Sequence, residues 1–218
     1  MTSKRLPGKV LREIEGKPLL RYVLERLERS HEVDEVVVAT SDDPSDDAVA
    51  DLCETLGAHY DRGPLRNVAA RFAAVAEARG LGAVARVSGD SPLLDPAIVD
   101  RAVHAFRAQE LDLVTNVMPR TFPVGQSVEV VAAAALRDLL AQTDDSQDLE
   151  HVTRFFYRRP NGFRILNIES AEPCAEMRFA VDTQEDLERL EGLVGRMERP
   201  HWEYGLAELA ELYREAGL

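Results

Sequence analysis

The sequence predicts an α/β fold with a mostly parallel sheet and helices on both faces. Short apolar runs at residues 35–40 and 83–88 have the length and branched side chains of buried strands. Between such runs, apolar residues recur with helical spacing, as Leu20, Val23 and Leu27 do. Strands that alternate with helices of this length pair in parallel, because each crossover helix returns the chain to the same end of the sheet.

The predicted elements continue this alternation along the chain. In order, they are a helix at 18–30, a strand at 35–40, a helix ending at 56, a helix at 67–79, a strand at 83–88, a helix opening at 95 and a strand at 111–116. After residue 120 the pattern changes to a strand at 127–131, helices at 132–141 and 147–158, a strand at 163–168, and helices at 182–196 and 203–216. We therefore expect a single domain over residues 1–218 with a small inserted subregion at about 120–170.

Composition limits the possible partners. The chain has 218 residues and a formal net charge of −13, so a general nucleic-acid surface is not expected, because phosphate backbones require a basic face. No apolar run reaches the ~18 residues of a membrane span. Cys53 and Cys174 lack the spacing of a metal site, and two cysteines do not indicate a disulfide framework. This low cysteine content is typical of a protein from the reducing cytosol. We expect a cytoplasmic protein that binds neither nucleic acid nor membrane.

Residues 3–9, Ser-Lys-Arg-Leu-Pro-Gly-Lys, form the most informative segment. Arg5 and Lys9 stand on either side of a Pro-Gly turn. Glycine allows backbone amides to approach a phosphate, arginine offers a bidentate fork, and lysine offers a compact charge. The segment therefore predicts a polyphosphate site in which a departing pyrophosphate is neutralised. The alternative is an ordinary basic terminus.

Two aspartates follow predicted buried segments. Asp90 comes just after the strand at 83–88, and Asp182 follows the apolar residues 179–181. Ligands bind at the carboxyl ends of parallel strands, and Mg²⁺ is held by one or two carboxylates together with phosphate oxygens and waters. The two side chains predict a magnesium site if their segments converge. The alternative is that each caps a helix, a role for which Asp95 is better placed.

Three further polar residues occupy places where a ligand could bind. Arg86 lies within an apolar strand, and a buried guanidinium requires a charged partner, which favours a pocket over a plain core. Ser41 and Asp42 end the strand at 35–40, where a base or ribose could be bound. The alternative for Ser41 and Asp42 is a solvated turn.

Six segments along the chain form an ordered set. They are residues 3–9, Gly-Lys-Pro-Leu at 16–19, Val-Val-Ala-Thr-Ser at 37–41, Arg-Val-Ser-Gly-Asp-Ser-Pro-Leu at 86–93, Glu-His-Val-Thr at 150–153 and Arg-Phe-Ala-Val-Asp-Thr-Gln-Glu-Asp-Leu at 178–187. The set resembles the cytidylyltransferase family, which includes CMP-sugar synthetases and the spore-coat polysaccharide protein SpsF, and it is most similar to the SpsF-like branch. The resemblance covers about residues 1–195.

The resemblance implies a three-layer, Rossmann-like nucleotidyltransferase. Such an enzyme would transfer CMP from CTP to a small anionic acceptor (a sugar, a phosphate or a phosphonate) and release pyrophosphate. The resemblance also implies Mg²⁺, a homodimer, a part in polysaccharide biosynthesis, and an acceptor-side or dimerisation role for residues 120–170. Two alternatives remain, a relative that uses another nucleoside triphosphate and a catalytically inactive homologue that binds nucleotide.

The resemblance also assigns roles to single residues. The implied catalytic set is Arg5, Lys9 and Asp90, and the implied metal ligands are Asp90 and Asp182. The implied nucleotide-binding set is Ser3, Arg5, Gly8, Lys9, Ser41, Asp42, Arg71 and Arg86. The implied acceptor-binding set is Arg120, Gln126, Glu129 and His151.

The sequence departs from the family pattern at two places. Ala70 stands before Arg71 where an acid is expected. The alternative for Arg71 is therefore that its side chain covers a helix face and binds no nucleotide. Val124 stands where an aspartate is expected, which bears on the identity of the acceptor.

His151 could be a structural histidine, and the aromatic run at 155–157 could belong to a dimer interface or to the core.

A third departure concerns the start of the sequence. In the family, the loop at residues 3–9 follows an apolar strand that ends in an alanine-arginine pair, and no such residues precede it here. We therefore expect that the sequence starts at an internal methionine and that the native protein has a central first strand ahead of it, unless another segment fills that position.

Overall fold

The computed structural model describes residues 5–218. The helices are α1 (Leu19–Leu27), α2 (Asp47–Leu56), α3 (Val68–Ala78), α4 (Pro96–Arg107), α5 (Ala133–Gln142), α6 (Ser146–His151), α7 (Arg154–Tyr157), α8 (Gln184–Val194) and α9 (Leu206–Glu215). The strands are β1 (Glu13–Ile14), β2 (Lys17–Pro18), β3 (Val37–Ser41), β4 (His59–Gly63), β5 (Ala83–Arg86), β6 (Leu113–Thr115), β7 (Glu129–Ala132) and β8 (Ile165–Asn167). The alternation from β3 to β6 confirms the predicted α/β class.

The larger strands form two groups. β3 and β4 pair in parallel, from Val37 opposite His59 to Ser41 opposite Gly63. The second group has the order β5–β7–β6–β8, in which β6 and β8 are parallel. β7 runs antiparallel to both of its neighbours. The parallel pairs agree with the predicted sheet, and β7 is the reversed strand within it.

Helices cover both faces of the second group of strands. Neighbouring residues of a strand point to opposite faces. Val130 belongs to an apolar cluster with Val23 of α1 and Val99 of α4, whereas Val131 belongs to a cluster with Phe155 of α7. The sheet therefore lies between two helical layers, which confirms the three-layer architecture.

Local signals fix several helix ends. Gly57 ends α2 in the left-handed conformation at φ 66°, which glycine adopts at little cost. Asp95 accepts a hydrogen bond from Ala97 N at 2.9 Å and caps α4, as predicted. The single helix predicted at 147–158 is wrong, because Val152 has φ 46° and separates α6 from α7.

An apolar cavity of about 800 Å³ lies between β3 and β5. Residues of both strands line it, as do residues of α1 and α4 and the turn at Gly8. Among the strands of residues 5–218, β3 pairs with β4 alone and β5 with β7 alone. None of the described strands fills the position between them, and the expected first strand stays a prediction.

Arg26 ties the carboxyl-terminal region to α1. Its guanidinium is fully buried and donates hydrogen bonds to the carbonyl oxygens of Leu94 at 2.6 Å, of Tyr204 at 2.7 Å and of His201. Burial lowers the pKa of Arg26 to about 10. Within the described part of the chain, no helix combines the length and apolarity needed to cross a membrane.

Candidate functional site

The candidate site is built around the turn that carries Lys9. Gly8 precedes it with φ 68°, a left-handed conformation that suits glycine. The short turn Lys9–Leu11 is closed by hydrogen bonds from Leu11 N to Gly8 O at 2.9 Å and from Arg12 N to Lys9 O at 3.0 Å. This turn fixes the backbone of Lys9, whose side chain is only 18% exposed. Ser3, predicted in the same loop, lies outside the described residues.

Lys9 joins two carboxylates from distant segments. Its Nζ forms an ion pair with Asp90 and donates a hydrogen bond to Asp182 Oδ1 at 2.8 Å. A backbone hydrogen bond from Val181 N to Asp90 O, 2.9 Å long, brings the two segments together. The predicted convergence of the cationic turn with both aspartates is confirmed.

Arginines hold Asp182 from other directions. Arg178 Nη2 forms an ion pair with Asp182, and Arg178 Nε donates to Asp186 Oδ1 at 2.9 Å. Arg5 Nη2 lies 3.2 Å from Asp182 Oδ2, with the Arg5 side chain 64% exposed. Asp186 also accepts hydrogen bonds from the backbone of Asp182 at 3.0 Å and of Thr183 at 3.1 Å, which orients this loop. We refer to Lys9, Asp90, Asp182 and Arg178 as the lysine cluster.

The pKa values of the lysine cluster reflect this pairing. Burial works to lower the pKa of Lys9, but Asp90 and Asp182 outweigh it and raise the pKa above its ordinary value. Burial works to raise the pKa of Asp182, but Lys9, with Arg5 and Arg178, lowers the pKa overall. The cluster therefore holds a charged ammonium against charged carboxylate.

Neither aspartate of the lysine cluster caps a helix. Thr183 is the N-cap of α8: its side chain accepts a hydrogen bond from Asp186 N, and Asp186 accepts one from Thr183 N. No described α-helix begins between Asp90 and α4, which Asp95 caps. The helix-capping alternative is therefore wrong for both Asp90 and Asp182.

A second polar group lies in one row across the strands. The register places Glu129 of β7 opposite Arg86 of β5 and Thr115 of β6. Glu129 forms an ion pair with Arg86 and accepts a hydrogen bond from the hydroxyl of Tyr157, which lies 2.7 Å from Thr115 Oγ1. Arg86 thus has the charged partner that its place in an apolar strand required. We refer to Arg86, Thr115, Glu129 and Tyr157 as the sheet cluster.

The sheet cluster is more deeply buried than the lysine cluster. The side chain of Glu129 is 5% exposed and that of Arg86 25%. Burial and the neighbouring Glu129 carboxylate raise the pKa of Tyr157, so its hydroxyl stays a donor. Arg120 donates to Ser127 Oγ at 3.1 Å, and burial lowers the pKa of Arg120 although Glu129 opposes the effect. Arg86 and Arg120 thus place positive charge near the buried carboxylate of Glu129, which lies beside the end of β5.

Gln126 does not fit its predicted acceptor role. Its side chain is fully buried, with Nε2 donating to Leu93 O at 2.7 Å and Oε1 accepting from Asp95 N at 2.8 Å. Both ends of the amide are therefore used by backbone. The neighbouring Gly125 has φ 99°, and a Cβ there would lie 2.4 Å from the carbonyl carbon of Phe179. Gly125 and Gln126 fix the loops that lead to the two aspartates.

The structure separates the predicted nucleotide-binding residues near the end of β3. Ser41 is fully buried and its hydroxyl donates to Asp46 Oδ2 at 2.6 Å, which is a structural role. Asp42 is exposed. Arg71 packs on Gly63 and lines the apolar cavity, and its Nε is buried without a hydrogen-bond partner among the described residues. Burial lowers the pKa of Arg71.

The remaining predictions fall on α6 and α7. His151 ends α6 with an exposed side chain, for which the described residues provide no hydrogen-bond partner. Phe155 and Phe156 are fully buried, with ring centroids 5.3 Å apart in an edge-to-face contact. The interface alternative is therefore wrong for these two rings, and the core alternative is correct.

The donor set at the lysine cluster is that of a hard cation. Within residues 5–218, no three His, Cys, Asp or Glu side chains converge as a metal site. Mg²⁺ is commonly held by one or two carboxylates and completes its shell with phosphate oxygens and water. Asp90 and Asp182, already arranged around the cationic Lys9, fit this pattern, and their role as metal ligands stays a prediction.

Comparison with known proteins identifies the relatives of the chain. A family model described as cytidylyltransferase matches residues 1–216. The chain belongs to the cytidylyltransferase family. It is therefore a nucleotidyltransferase, and the predicted family resemblance is confirmed.

Individual relatives of this cytidylyltransferase agree with that membership. The spore coat polysaccharide biosynthesis protein SpsF of Bacillus subtilis is 34% identical over 208 residues, which are 92% of this chain and 85% of SpsF. A cytidylyltransferase from Leptospira borgpetersenii has a solved structure with 26% identity and a TM-score of 0.94, covering 100% of this chain and 91% of that one. A CMP:2-keto-3-deoxy-manno-octonic acid synthetase complexed with CTP shares the fold, with 19% identity, a TM-score of 0.66 and coverage of 89% and 94%.

Two contacts of this cytidylyltransferase were missed from the sequence. Arg178 pairs with Asp182 four residues later, and this spacing with opposite charges was the available signal. Tyr157 contacts Glu129, and its polar end distinguishes it from the two phenylalanines that precede it.

Proposed function

We propose that this cytidylyltransferase transfers CMP from CTP to a small anionic acceptor and releases pyrophosphate. The lysine cluster carries the proposal, because Lys9 of the glycine-containing turn lies between Asp90 and Asp182. A triphosphate bound at this turn would place its departing charge beside Lys9 and Arg5. Both side chains would then stabilise the charge that develops in the transition state.

The proposed chemistry is an in-line attack by an acceptor oxygen on the α-phosphorus of CTP. The bond to the bridging oxygen of the β-phosphate breaks, and its electron pair leaves with pyrophosphate. Lys9 would leave the carboxylates for the phosphates, whose negative charge would keep its ammonium protonated, as Asp90 and Asp182 do without nucleotide. Asp90 and Asp182 would hold Mg²⁺, which supplies charge neutralisation at the phosphates when bound. Arg178 keeps Asp182 oriented.

We assign the acceptor to the neighbourhood of the sheet cluster. Arg86 lies at the end of β5, four positions before Asp90, so the two clusters share one edge of the sheet. Glu129 neutralises Arg86, so among the described residues the unpaired positive charge near this edge is that of Arg120, which favours an anionic acceptor that needs little base catalysis. The relatives include a spore coat polysaccharide biosynthesis protein and a CMP:2-keto-3-deoxy-manno-octonic acid synthetase, which supports a sugar acid or sugar phosphate as the acceptor.

The test is pyrophosphate release from each of the four common nucleoside triphosphates with Mg²⁺, in the presence of sugar acids, sugar phosphates and phosphonates. We expect release with CTP and an anionic acceptor. The matched control is the neutral analogue of the same acceptor, which should support little release.

Two outcomes would contradict the proposal. Pyrophosphate release with another nucleoside triphosphate and not with CTP would show that the enzyme uses a nucleotide with a different base. Calorimetric binding of CTP and Mg²⁺ without release for any acceptor would favour a catalytically inactive homologue. The homodimer and the cytoplasmic location stay predictions.

A further inference from the structure

Gln126 is a fully buried polar side chain that is bonded to the segment beginning with Asp90. Its Nε2 donates to Leu93 O at 2.7 Å, and its Oε1 accepts from Asp95 N at 2.8 Å. We refer to residues 90–95 as the Asp90 segment. A backbone group left without a partner at a buried position is costly, so both hydrogen bonds resist breaking. The Asp90 segment is therefore held firmly against Gln126.

The loop that carries Gln126 is bonded to the other aspartate's segment as well. Val124 O accepts a hydrogen bond from Phe179 N at 2.6 Å. Val181 N donates to Asp90 O at 2.9 Å. Phe179 and Val181 lead directly into the second aspartate of the lysine cluster. The hydrogen bonds thus close a ring that passes through the loop and through the segments of both aspartates.

The same loop holds the cation that we assign to the acceptor. Arg120 Nη1 donates to Ser127 Oγ at 3.1 Å and to Pro123 O at 3.4 Å. We refer to residues 120–127 as the acceptor loop. It connects the proposed acceptor cation, through the side chain of Gln126, to the segment that carries a carboxylate of the lysine cluster.

We propose that Gln126 is a positioning residue for the transfer reaction. It locks the acceptor loop to the Asp90 segment and so sets the separation between an acceptor held at Arg120 and the carboxylate of Asp90. The inference rests on the proposed function, since it requires an acceptor at Arg120 and a nucleotide beside Asp90. A displacement of about 1 Å between reacting groups can reduce a rate by about a hundredfold. A side chain that touches no substrate can therefore control turnover.

A purely structural role for Gln126 predicts a different result. A buried amide that only satisfies backbone groups would contribute to the free energy of unfolding and would leave the turnover of the folded protein unchanged. Asn116 provides the comparison, because it is also fully buried. Its Nδ2 donates to Gln126 O at 2.7 Å, and its Oδ1 accepts from Val128 N at 2.9 Å. Neither of these backbone groups belongs to the segment of an aspartate.

The test compares Gln126→Met with Asn116→Leu. Each change replaces an amide by an apolar side chain of similar size and removes two hydrogen bonds to backbone groups. At a temperature where circular dichroism shows both variants to be folded, we expect the kcat of Gln126→Met to fall by about 10–100-fold. Its KM for CTP should stay within about twofold of the wild-type value, because the phosphate site is intact. Asn116→Leu should keep a kcat near that of the wild type.

A shorter amide provides a second variant if Gln126→Met does not fold. Gln126→Asn lacks one methylene and can reach only one of the two backbone groups, Leu93 O and Asp95 N. Its kcat should lie between those of the wild type and Gln126→Met. A wild-type kcat for Gln126→Asn in the folded protein would contradict the positioning role.

Hydrogen exchange provides a readout that does not depend on turnover. The amide of Val181 reports on the Asp90 segment, because it donates to Asp90 O. Its exchange should become about tenfold faster in Gln126→Met and should be unchanged in Asn116→Leu. Equal exchange at Val181 in these two variants, or equal turnover, would overturn the proposal. If the wild type releases no pyrophosphate with any acceptor, the proposed function fails, and the exchange comparison still decides whether Gln126 positions Asp90.

Discussion

The lysine cluster and the sheet cluster both set cations against carboxylates, yet they are held differently. The side chains of Lys9, Asp90 and Asp182 are 18%, 21% and 26% exposed and come from turns and loops. Glu129 is 5% exposed and is fixed by strand pairing on both sides. A charged side chain at the open edge can exchange its protein partner for a ligand. For a buried charged side chain, the free-energy cost of being left without its partner is too high. The lysine cluster is therefore suited to chemistry and the sheet cluster to positioning.

The largest expected effect follows from Lys9→Met. Turnover of CTP should fall by about a hundredfold or more, since one transition-state charge partner is removed. Without the competing ammonium, Mn²⁺ should bind the nucleotide-free variant about tenfold more tightly. Pyrophosphate release measures the first effect and electron paramagnetic resonance the second. An unchanged Mn²⁺ affinity would contradict the view that the Lys9 ammonium occupies the position beside Asp90 and Asp182 that a metal ion would take.

Glu129→Gln should instead act mainly on stability. It leaves Arg86 without a carboxylate, and we expect a loss of about 2–3 kcal/mol in the free energy of unfolding, since Arg86 keeps partial contact with solvent. Urea unfolding measures this loss, with Lys9→Met as the comparison that should lose less. In a cycle with Arg86→Met, the double variant should be less destabilised than the sum of the single variants. Simple additivity would show that the two residues are not coupled.

A third titratable group has an effect that is smaller per pH unit than the loss expected for Glu129→Gln and that accumulates gradually as the pH falls. His201 Nε2 lies 2.8 Å from Glu25 Oε2, and burial lowers the pKa of His201 to about 4 although Glu25 opposes this. Between pH ~6.5 and pH 4, the unfolded chain holds a proton on His201 that the folded chain lacks. The free energy of unfolding should therefore fall as the pH drops through this window, by at most ~1.4 kcal/mol per pH unit from this residue.

The check is urea unfolding of the wild type and His201→Gln at several pH values. The variant should show a flatter dependence between pH 6.5 and pH 4, whatever its overall stability. Parallel curves for the two proteins would mean that His201 titrates alike in the folded and unfolded chains.

The elements that the sequence predicted are those whose own side chains specify them. β3 and β5 are apolar runs, and α4 has its cap at Asp95. β4 was missed because His59, Asp61 and Arg62 give it no apolar pattern, and its parallel pairing with β3 holds it in place. The break at Val152 was also missed, since a β-branched residue rarely adopts positive φ without tertiary constraint.

The site was predictable as far as residue type and position on a strand could indicate it. Lys9, Asp90 and Asp182 carry charge at turns and strand ends, and they converge. Ser41 and Gln126 have the same polar character, but their partners are Asp46 and backbone groups. Composition does not reveal whether a polar side chain meets a ligand or its own chain, because long-range packing decides it.

Asp90→Asn compared with Asp95→Asn tests the central claim most directly. The chemical change is the same, but Asp90 contacts Lys9, whereas Asp95 accepts backbone hydrogen bonds from Ala97 N and Leu206 N, so Asp95→Asn loses one acceptor and some stability without removing a contact to Lys9. In the pyrophosphate assay with CTP and an anionic acceptor, we predict a loss of about 10³-fold for Asp90→Asn and near wild-type turnover for Asp95→Asn. Equal release by both variants would contradict the account.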